Sequence, residues 1–264
     1  MSEPLVVVEE NHGLAAHFGA TKPVSASSPE QIHSAMNRFV HGAVWVARAG
    51  PIVKWLAAMD SLSMTPHRLL LIGSPKAPER AFLRAVFESV FVPDDEMKVL
   101  AFDELFEVLG SEHRANLFVG GAVAPAAKSV VLIRGNLTAL AVPFSWFVAR
   151  PNGPKPDFSD FAIIDSGQTI KLGDYEAAAD AVLYEFDGEF RKQERKRRIS
   201  MDKSFGGALR RLRLQRGLSR DDFPGLSAKT IARIERGDVK EPHGDTLTAI
   251  AERLGVKPDE IASF

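Results

Sequence analysis

The chain has 264 residues, 45% of them hydrophobic, and a net charge of −1. This length predicts one or two globular domains. Cysteine is absent, which excludes disulfides and thiolate chemistry and argues against a structural zinc site. No basic segment precedes a long apolar run in residues 1–10, and the longest apolar stretch, residues 139–149, contains Pro143. We therefore expect no signal peptide, no membrane span and a cytoplasmic location.

Residues 1 to about 125 alternate strand and helix patterns. Apolar runs typical of buried strands lie at residues 5–10, 42–50, 67–73 and 98–102. Patterns with helical spacing lie between them, at residues 28–40, 51–62 and 77–91. Because helices that alternate with strands serve as crossovers between parallel strands, this part predicts a mainly parallel sheet covered by helices.

The pattern changes from Lys128 onward. Two pairs of short apolar segments flank the turn signals Arg134-Gly135-Asn136 and Ser166-Gly167-Gln168, and each pair predicts a β-hairpin. One long helix after Gly173 is predicted from the helical spacing of Tyr175, Ala179, Val182, Phe186 and Phe190. Together these patterns predict an α/β N-terminal domain with a mixed sheet and flanking helices.

The N-terminal part offers no catalytic constellation. The loop at Gly73 lacks both glycine-rich phosphate-binding spacings, so we interpret it as an ordinary βα loop. The acidic residues 94–96 are interpreted as a solvated turn. Ser111 and His113 are near neighbours in sequence, which does not supply the facing geometry of a nucleophile and its base. Three aromatic residues fit either a core strand or a pocket lining: Phe144, Trp146 and Phe147. We expect no enzyme activity, no cofactor and no metal site.

Charge is distributed unevenly along the chain. From Gly188 onward there are 18 Lys and Arg against 12 Asp and Glu, a net charge of +6, whereas the preceding part carries −7. If the chain binds a polyanion, the C-terminal part therefore binds it. The run RKQERKRR, residues 191–198, has two interpretations: a solvated helix end that acts as a linker, or a source of extra phosphate contacts.

The most informative stretch is SAKTIARIERG, residues 227–237. Ser227 is a favourable N-cap for a helix, and Gly237 is suited to end it in a left-handed conformation. Ile231 and Ile234 point one way. Three cations point another way: Lys229, Arg233 and Arg236. A short helix with one apolar face and one cationic face is suited to the major groove of DNA.

Further helical patterns surround this stretch. The apolar residues of an upstream helix repeat with helical spacing: Phe205, Leu209 and Leu212. Gly217 ends that helix, and Ser219 opens a second, very short one. Downstream, residues 246–254 predict a helix closed by Gly255, and Pro258 begins a final turn. These segments predict a compact all-α domain of five short helices.

These motifs resemble those of the Xre or Cro-type helix-turn-helix regulators of bacteria and their phages. The resemblance covers residues 204–264 and is most specific in RLRLQRGLSRDD, TIARIERG and TLTAIAERLGV. It implies that the second helix braces against the phosphate backbone and that the third lies in the major groove. The segment RDDFPGLS, residues 220–227, departs from the family pattern because it leaves the second helix about one turn shorter.

The resemblance also implies roles for individual residues. Arg220 would contact phosphate, and Lys229 or Arg233 would bond guanine O6 and N7. A structural ion pair would join Arg213 to Glu235. The implied DNA-contacting residues are Arg220, Ser227, Ala228, Lys229, Thr230, Ala232, Arg233, Arg236 and Lys240.

We therefore predict three segments. Residues 1–190 form an α/β domain for effector sensing, dimerisation or partner binding, residues 191–203 a basic helical linker, and residues 204–264 a DNA-binding domain. The predicted function is sequence-specific transcription regulation, as a repressor or autoregulator that binds an inverted repeat of double-stranded DNA as a homodimer. Two alternatives stay open: an antitoxin-like or defence-linked protein whose N-terminal domain holds a partner protein, and an enzyme localised to DNA by its tail.

Overall fold

A computed structural model describes residues 3–10, 13–18, 21–59, 62–93, 97–149, 151–240 and 242–263. The chain divides into two compact units, Met1–Asp187 and Gly188–Phe264, here called the N-terminal unit and the C-terminal unit. The acidic residues 94–96, predicted as a solvated turn, lie outside the described residues.

The first half of the N-terminal unit is a five-stranded parallel sheet with the strand order β2-β1-β3-β4-β5. Its strands are β1 (Leu5–Val8), β2 (Val24–Ala26), β3 (Val44–Arg48), β4 (Thr65–Ile72) and β5 (Phe87–Phe91). Its helices are α1 (Pro29–Arg38), α2 (Ala49–Ala57) and α3 (Ala77–Val86). The predicted α/β class, with a parallel sheet and flanking helices, is confirmed.

Burial of apolar side chains explains why these strands form. Val6, Trp45 and Leu69 lie opposite one another on adjacent strands, and each is fully buried. They share a core with Ile32 of α1 and Leu56 of α2. The next residue of each strand points to the opposite face of the sheet. These residues, Val7, Val46 and Leu70, are fully buried as well, so both faces of the sheet are covered, as is usual for parallel sheets.

The end of the segment 77–91 is a strand rather than the predicted helix. Helix α3 ends at Val86, and the chain continues directly into β5. Val90 lies opposite Leu69 in the parallel ladder. Pairing with a buried strand therefore outweighs the helical spacing at this position.

The strand predicted at residues 98–102 does not join the parallel sheet. The strand β6 (Lys98–Val99) is only two residues long and pairs antiparallel with β7 (Phe118–Ala124). Helix α4 (Phe102–Gly110) begins within the predicted strand. The parallel part of the unit therefore ends earlier than the sequence predicts.

The second half of the N-terminal unit is antiparallel. One sheet has the order β6-β7-β8-β9, and a second has the order β10-β11-β12. The further strands are β8 (Ser129–Arg134), β9 (Ala139–Pro143), β10 (Phe161–Ile164), β11 (Thr169–Leu172) and β12 (Tyr175–Ala178). Both predicted hairpins are present, as β8–β9 and β10–β11.

The prediction of one long helix after Gly173 is wrong. Tyr175 belongs to β12, and two helices follow, α5 (Ala179–Phe186) and α6 (Gly188–Ser200). Between them, Asp187 is extended, and its Oδ2 lies 2.7 Å from Nη1 of Arg134. Because this ion pair holds Asp187 to β8 and Gly188 weakens helix propagation, the helical path breaks there. The predicted linker, residues 191–203, lies largely within α6, which is grouped with the C-terminal unit.

The C-terminal unit is all-α in its described residues. After α6 it contains α7 (Phe205–Gln215), α8 (Ala228–Glu235), α9 (Asp245–Leu254) and a final 3-10 turn (Pro258–Ser263). All of these except α6 contribute to one apolar core. Its buried residues include Phe205, Leu209, Leu212, Phe223, Ile231, Ile234, Ile250, Leu254 and Ile261.

A buried histidine makes the stability of the N-terminal unit depend on pH. His67 in β4 is 1% exposed, and its ring centroid lies 5.3 Å from that of Trp45. Burial lowers the pKa of His67 below its ordinary value of 6.5, against the opposing effect of a backbone hydrogen bond at Met36. The unfolded chain therefore binds this proton more readily than the folded chain. The contribution of neutral, buried His67 to stability is therefore complete above about pH 6.5, and it is lost as the pH falls below that value.

Replacing His67 by glutamine is expected to remove this part of the pH dependence. The urea midpoint of the wild-type chain should fall more between about pH 7.5 and pH 5.5 than that of His67→Gln. His33→Gln, which changes an exposed histidine of α1, is the matched control and should keep the wild-type difference. The same pH dependence in His67→Gln and the wild type would contradict the assignment.

Candidate nucleic-acid interface

The candidate recognition helix is α8 (Ala228–Glu235). Its N-terminus is capped by Ser227, whose Oγ accepts a hydrogen bond from the backbone N–H of Thr230 at 3.1 Å. Its C-terminus is followed by Gly237 with a φ of 80°, in the left-handed region that glycine tolerates. Ile231 and Ile234 are 0% and 1% exposed and fix the helix to the core. The opposite face of α8 therefore points away from the core.

The outward face of α8 is cationic. Lys229 and Arg233 are exposed one turn apart, and within the described residues neither has an ion-pair partner. Arg236 is also exposed. Its Nη2 lies 2.8 Å from Oδ2 of Asp238, so this carboxylate compensates part of its charge. Lys240 is also exposed. The smaller predicted contact residues of this helix are half-buried: Ala228, Thr230 and Ala232.

A buried ion network holds α8 against α7. The side chain of Glu235 is 1% exposed, and its Oε1 accepts a hydrogen bond from Nε of Arg213 at 2.6 Å. Its Oε2 accepts a second bond from Arg213 at 3.3 Å and one from Nε of Arg220 at 2.9 Å. Arg213 also donates to the carbonyl oxygen of Leu218 at 2.8 Å. One buried carboxylate therefore fastens both helix α7 and the segment before α8.

Arg220, predicted as a phosphate contact, is part of this network. Its side chain is 41% exposed, and its Nη2 lies 2.8 Å from Glu235 Oε2. Because this carboxylate orients the guanidinium, Arg220 ties its segment to α8 while keeping an exposed edge. The phosphate contact itself stays a prediction.

The segment between α7 and α8 is a turn, and the prediction of a second helix opening at Ser219 is wrong. The backbone N–H of Ser219 donates to Oδ2 of Asp222 at 2.6 Å, a bond that lowers the pKa of Asp222. Phe223 is 1% exposed and anchors the turn in the core. Pro224 has no N–H to donate, and Gly225 has a φ of 77°, so a helix cannot continue through them.

Comparison with known proteins bears on this C-terminal region. Residues 204–264 match a family model described as a helix-turn-helix domain. The C-terminal unit carries a helix-turn-helix domain. This match supports DNA binding and a role in transcription regulation. No curated protein and no solved structure matches the chain.

The helix-turn-helix domain also depends on a close approach that the sequence patterns did not reveal. A Cβ atom on Gly206 of α7 would lie 2.2 Å from the carbonyl oxygen of Ile234 in α8. Only glycine therefore lets these two helices touch at this point. In the sequence, Gly206 indicates only a weak helix former, because the residue that it approaches, Ile234, is distant along the chain.

The sequence candidates of the N-terminal unit form no nucleophile–base hydrogen bond in the described residues. The Oγ of Ser111 accepts a hydrogen bond from the backbone N–H of His113 at 3.1 Å, a contact that does not involve the imidazole. The described residues contain no group of three or more His, Asp or Glu positioned to bind a metal ion. None of the helices in the described ranges has the length and apolar character needed to span a membrane.

The aromatic residues divide between core and surface. The ring of Phe144 stacks on that of Phe158 with centroids 3.9 Å apart, and Phe147 is 4% exposed. Trp146 instead lines a groove of about 500 Å³ together with Tyr175. The segment is a 3-10 turn (Phe144–Trp146) rather than the predicted strand. Phe147 is a core residue and Trp146 lines a groove.

Proposed function

We propose that this chain is a sequence-specific transcription regulator, a repressor or autoregulator of the Xre type that acts in the bacterial cytoplasm and catalyses no reaction. The observation that carries this proposal is the two-faced character of α8 within the helix-turn-helix domain. Its buried isoleucines fix its orientation, and Lys229 and Arg233 project from the other side. Such side chains suit the O6 and N7 acceptors of guanine in the major groove.

We further propose that the regulator binds as a homodimer. A helix of eight residues is about 12 Å long and contacts too few base pairs for useful specificity. Two copies on an inverted repeat, about 34 Å apart, multiply the discrimination. The N-terminal unit would then supply dimerisation, effector sensing or partner binding.

Footprinting on the DNA upstream of the chain's own gene tests the proposal. We expect a symmetric protected site whose affinity falls steeply between about 50 and 200 mM salt, because bound lysines and arginines release counterions. Protection without symmetry would contradict the dimer. Absence of any preferred site, there and in a random-sequence selection, would overturn sequence-specific regulation.

A second candidate is an antitoxin-like or defence-linked protein, and the groove on the N-terminal unit favours it. Strand β12 lies at the edge of its sheet, and its residues line the groove beside Trp146. Asp174 and Glu176 also line it, and within the described residues neither has an ion-pair partner. An extended segment carrying lysine or arginine would pair with this edge by β-strand addition.

Co-purification with the product of an adjacent gene tests this second candidate. Binding should be lost in Asp174→Lys/Glu176→Lys and kept in Glu112→Lys, which reverses an exposed charge in another turn. Retention of the partner by the double variant would exclude the groove as its binding site.

A further inference from the structure

Helix α6 (Gly188–Ser200), which belongs to the C-terminal unit, carries a high density of positive charge. It contains six Lys and Arg against two Glu, a net charge of +4. Most of its basic side chains are exposed: Lys192, Arg195, Lys196, Arg197 and Arg198. A helix that is polar on nearly all sides gains little stability from packing against other helices. Packing therefore does not explain why α6 carries so many basic residues.

The charges of α6 are only partly compensated within the helix. Nζ of Lys192 lies 2.6 Å from Oε1 of Glu189, and Nε of Arg197 lies 3.1 Å from Oε1 of Glu194. Within the described ranges, Arg195 and Lys196 have no ion-pair partner. Like charges three or four residues apart repel one another, as at Lys192 and Lys196. A polyanion along this surface would relieve that repulsion.

Contacts attach the end of α6 to the helix-turn-helix domain. The guanidinium of Arg211 in α7 donates to the backbone carbonyl oxygens of Ser200, at 3.4 Å, and of Asp202. Oδ1 of Asp202 accepts a hydrogen bond from the backbone N–H of Ser204, the N-cap of α7, at 2.9 Å. The connection between α6 and α7 is therefore bonded at both sides rather than a loose tether.

We propose that α6 is a second DNA-contacting element, whose Arg195 and Lys196 bind phosphates of the duplex beside the site read by α8. This inference rests on the proposed function. The 13 residues of α6 extend about 20 Å, which matches the rise of about six base pairs of duplex. Contacts to phosphates add affinity and fix register without adding sequence preference.

The salt dependence of binding by the full chain tests this proposal. For Arg195→Gln/Lys196→Gln, the plot of log K against log salt concentration should be shallower by about 1.8, since each lost phosphate contact removes about 0.9. The loss of affinity should be by the same factor on the preferred duplex and on an unrelated one. The exchange Arg195→Lys/Lys196→Arg keeps both charges and should keep the wild-type slope.

Two controls separate a local contact from net charge and from misfolding. Lys22→Gln/Lys155→Gln removes two exposed charges from the N-terminal unit and should leave the slope unchanged. Circular dichroism should show wild-type helix content in Arg195→Gln/Lys196→Gln, because the change reduces repulsion within α6.

Trimming the duplex supplies an independent readout. Removing about six flanking base pairs should weaken binding by the wild type and have little further effect on Arg195→Gln/Lys196→Gln. An unchanged slope in that variant, with preferred binding intact, would overturn the role of α6 and leave the regulator proposal standing. Failure of the wild type to prefer any duplex would instead overturn the regulator proposal, and the role of α6 with it.

Discussion

Replacing Glu235 by alanine is expected to lower the free energy of unfolding of the helix-turn-helix domain by about 3–5 kcal/mol. The side chains of Glu235 and Arg213 are 1% and 8% exposed, so the variant leaves a guanidinium buried without its counter-charge. Hydrogen exchange in the full chain measures this locally. Protection of the Ile231 and Ile234 amides should fall by about 100-fold or more.

Two further variants identify the cause of that loss. Asp238→Ala removes a carboxylate of an exposed pair with Arg236 and should cost no more than about 1 kcal/mol. Arg213→Met combined with Glu235→Leu removes both buried charges and should recover most of the stability. Protection in Glu235→Ala equal to that in Asp238→Ala would show that the buried pair does not hold α8.

Alanine at Lys229 or at Arg233 is expected to weaken binding to the preferred DNA site by about 1–3 kcal/mol each, or roughly 5-fold to 150-fold in Kd. The physical reason is that each exposed cation would lose hydrogen bonds to base edges while its backbone stays fixed by the buried face of α8. Titration of fluorescent duplexes by the full-length variants measures the effect.

Comparison with an unrelated duplex distinguishes base reading from simple charge. Loss of a base contact should weaken binding mainly to the preferred site, whereas loss of a phosphate contact should weaken binding to both duplexes alike. Lys257→Ala, an exposed lysine of the same unit outside α8, is the matched control. If Lys229→Ala and Arg233→Ala bind the preferred site as tightly as Lys257→Ala does, the recognition face is misassigned.

The elements of the C-terminal unit were largely predictable because their signals are local. Ser227, Gly217, Gly237 and Gly255 mark helix ends in the sequence, and the structure places helix ends at each of them. The second helix was the exception. Its residues carry helix-compatible types up to Asp222, and Pro224 together with the left-handed conformation of Gly225 decides for a turn.

The N-terminal unit shows where spacing alone misleads. Residues 87–91 continue a helical pattern, yet they form a strand because β4 offers a buried edge for pairing. Tyr175 follows the spacing of α5, yet it lies opposite Leu172 in an antiparallel ladder. In both cases pairing with a neighbouring strand fixes the local conformation. For residues 87–91 that strand is distant in sequence, whereas for Tyr175 it is β11, just across a tight turn.

The sequence by itself determined the class of the N-terminal unit, the place of α8 and the sign of its outward charge, because apolar periodicity, capping residues and charge are properties of neighbours along the chain. Only the tertiary structure decided that Arg220 joins the expected pair of Arg213 and Glu235, that Gly206 meets the backbone of Ile234, and that α6 is bonded to α7 through Arg211. These contacts join segments that are separate in sequence, so they exist only once folding has brought those segments together. At Glu235 and Gly206 burial also excludes water from between the segments, whereas the bonds of Arg211 lie at the surface.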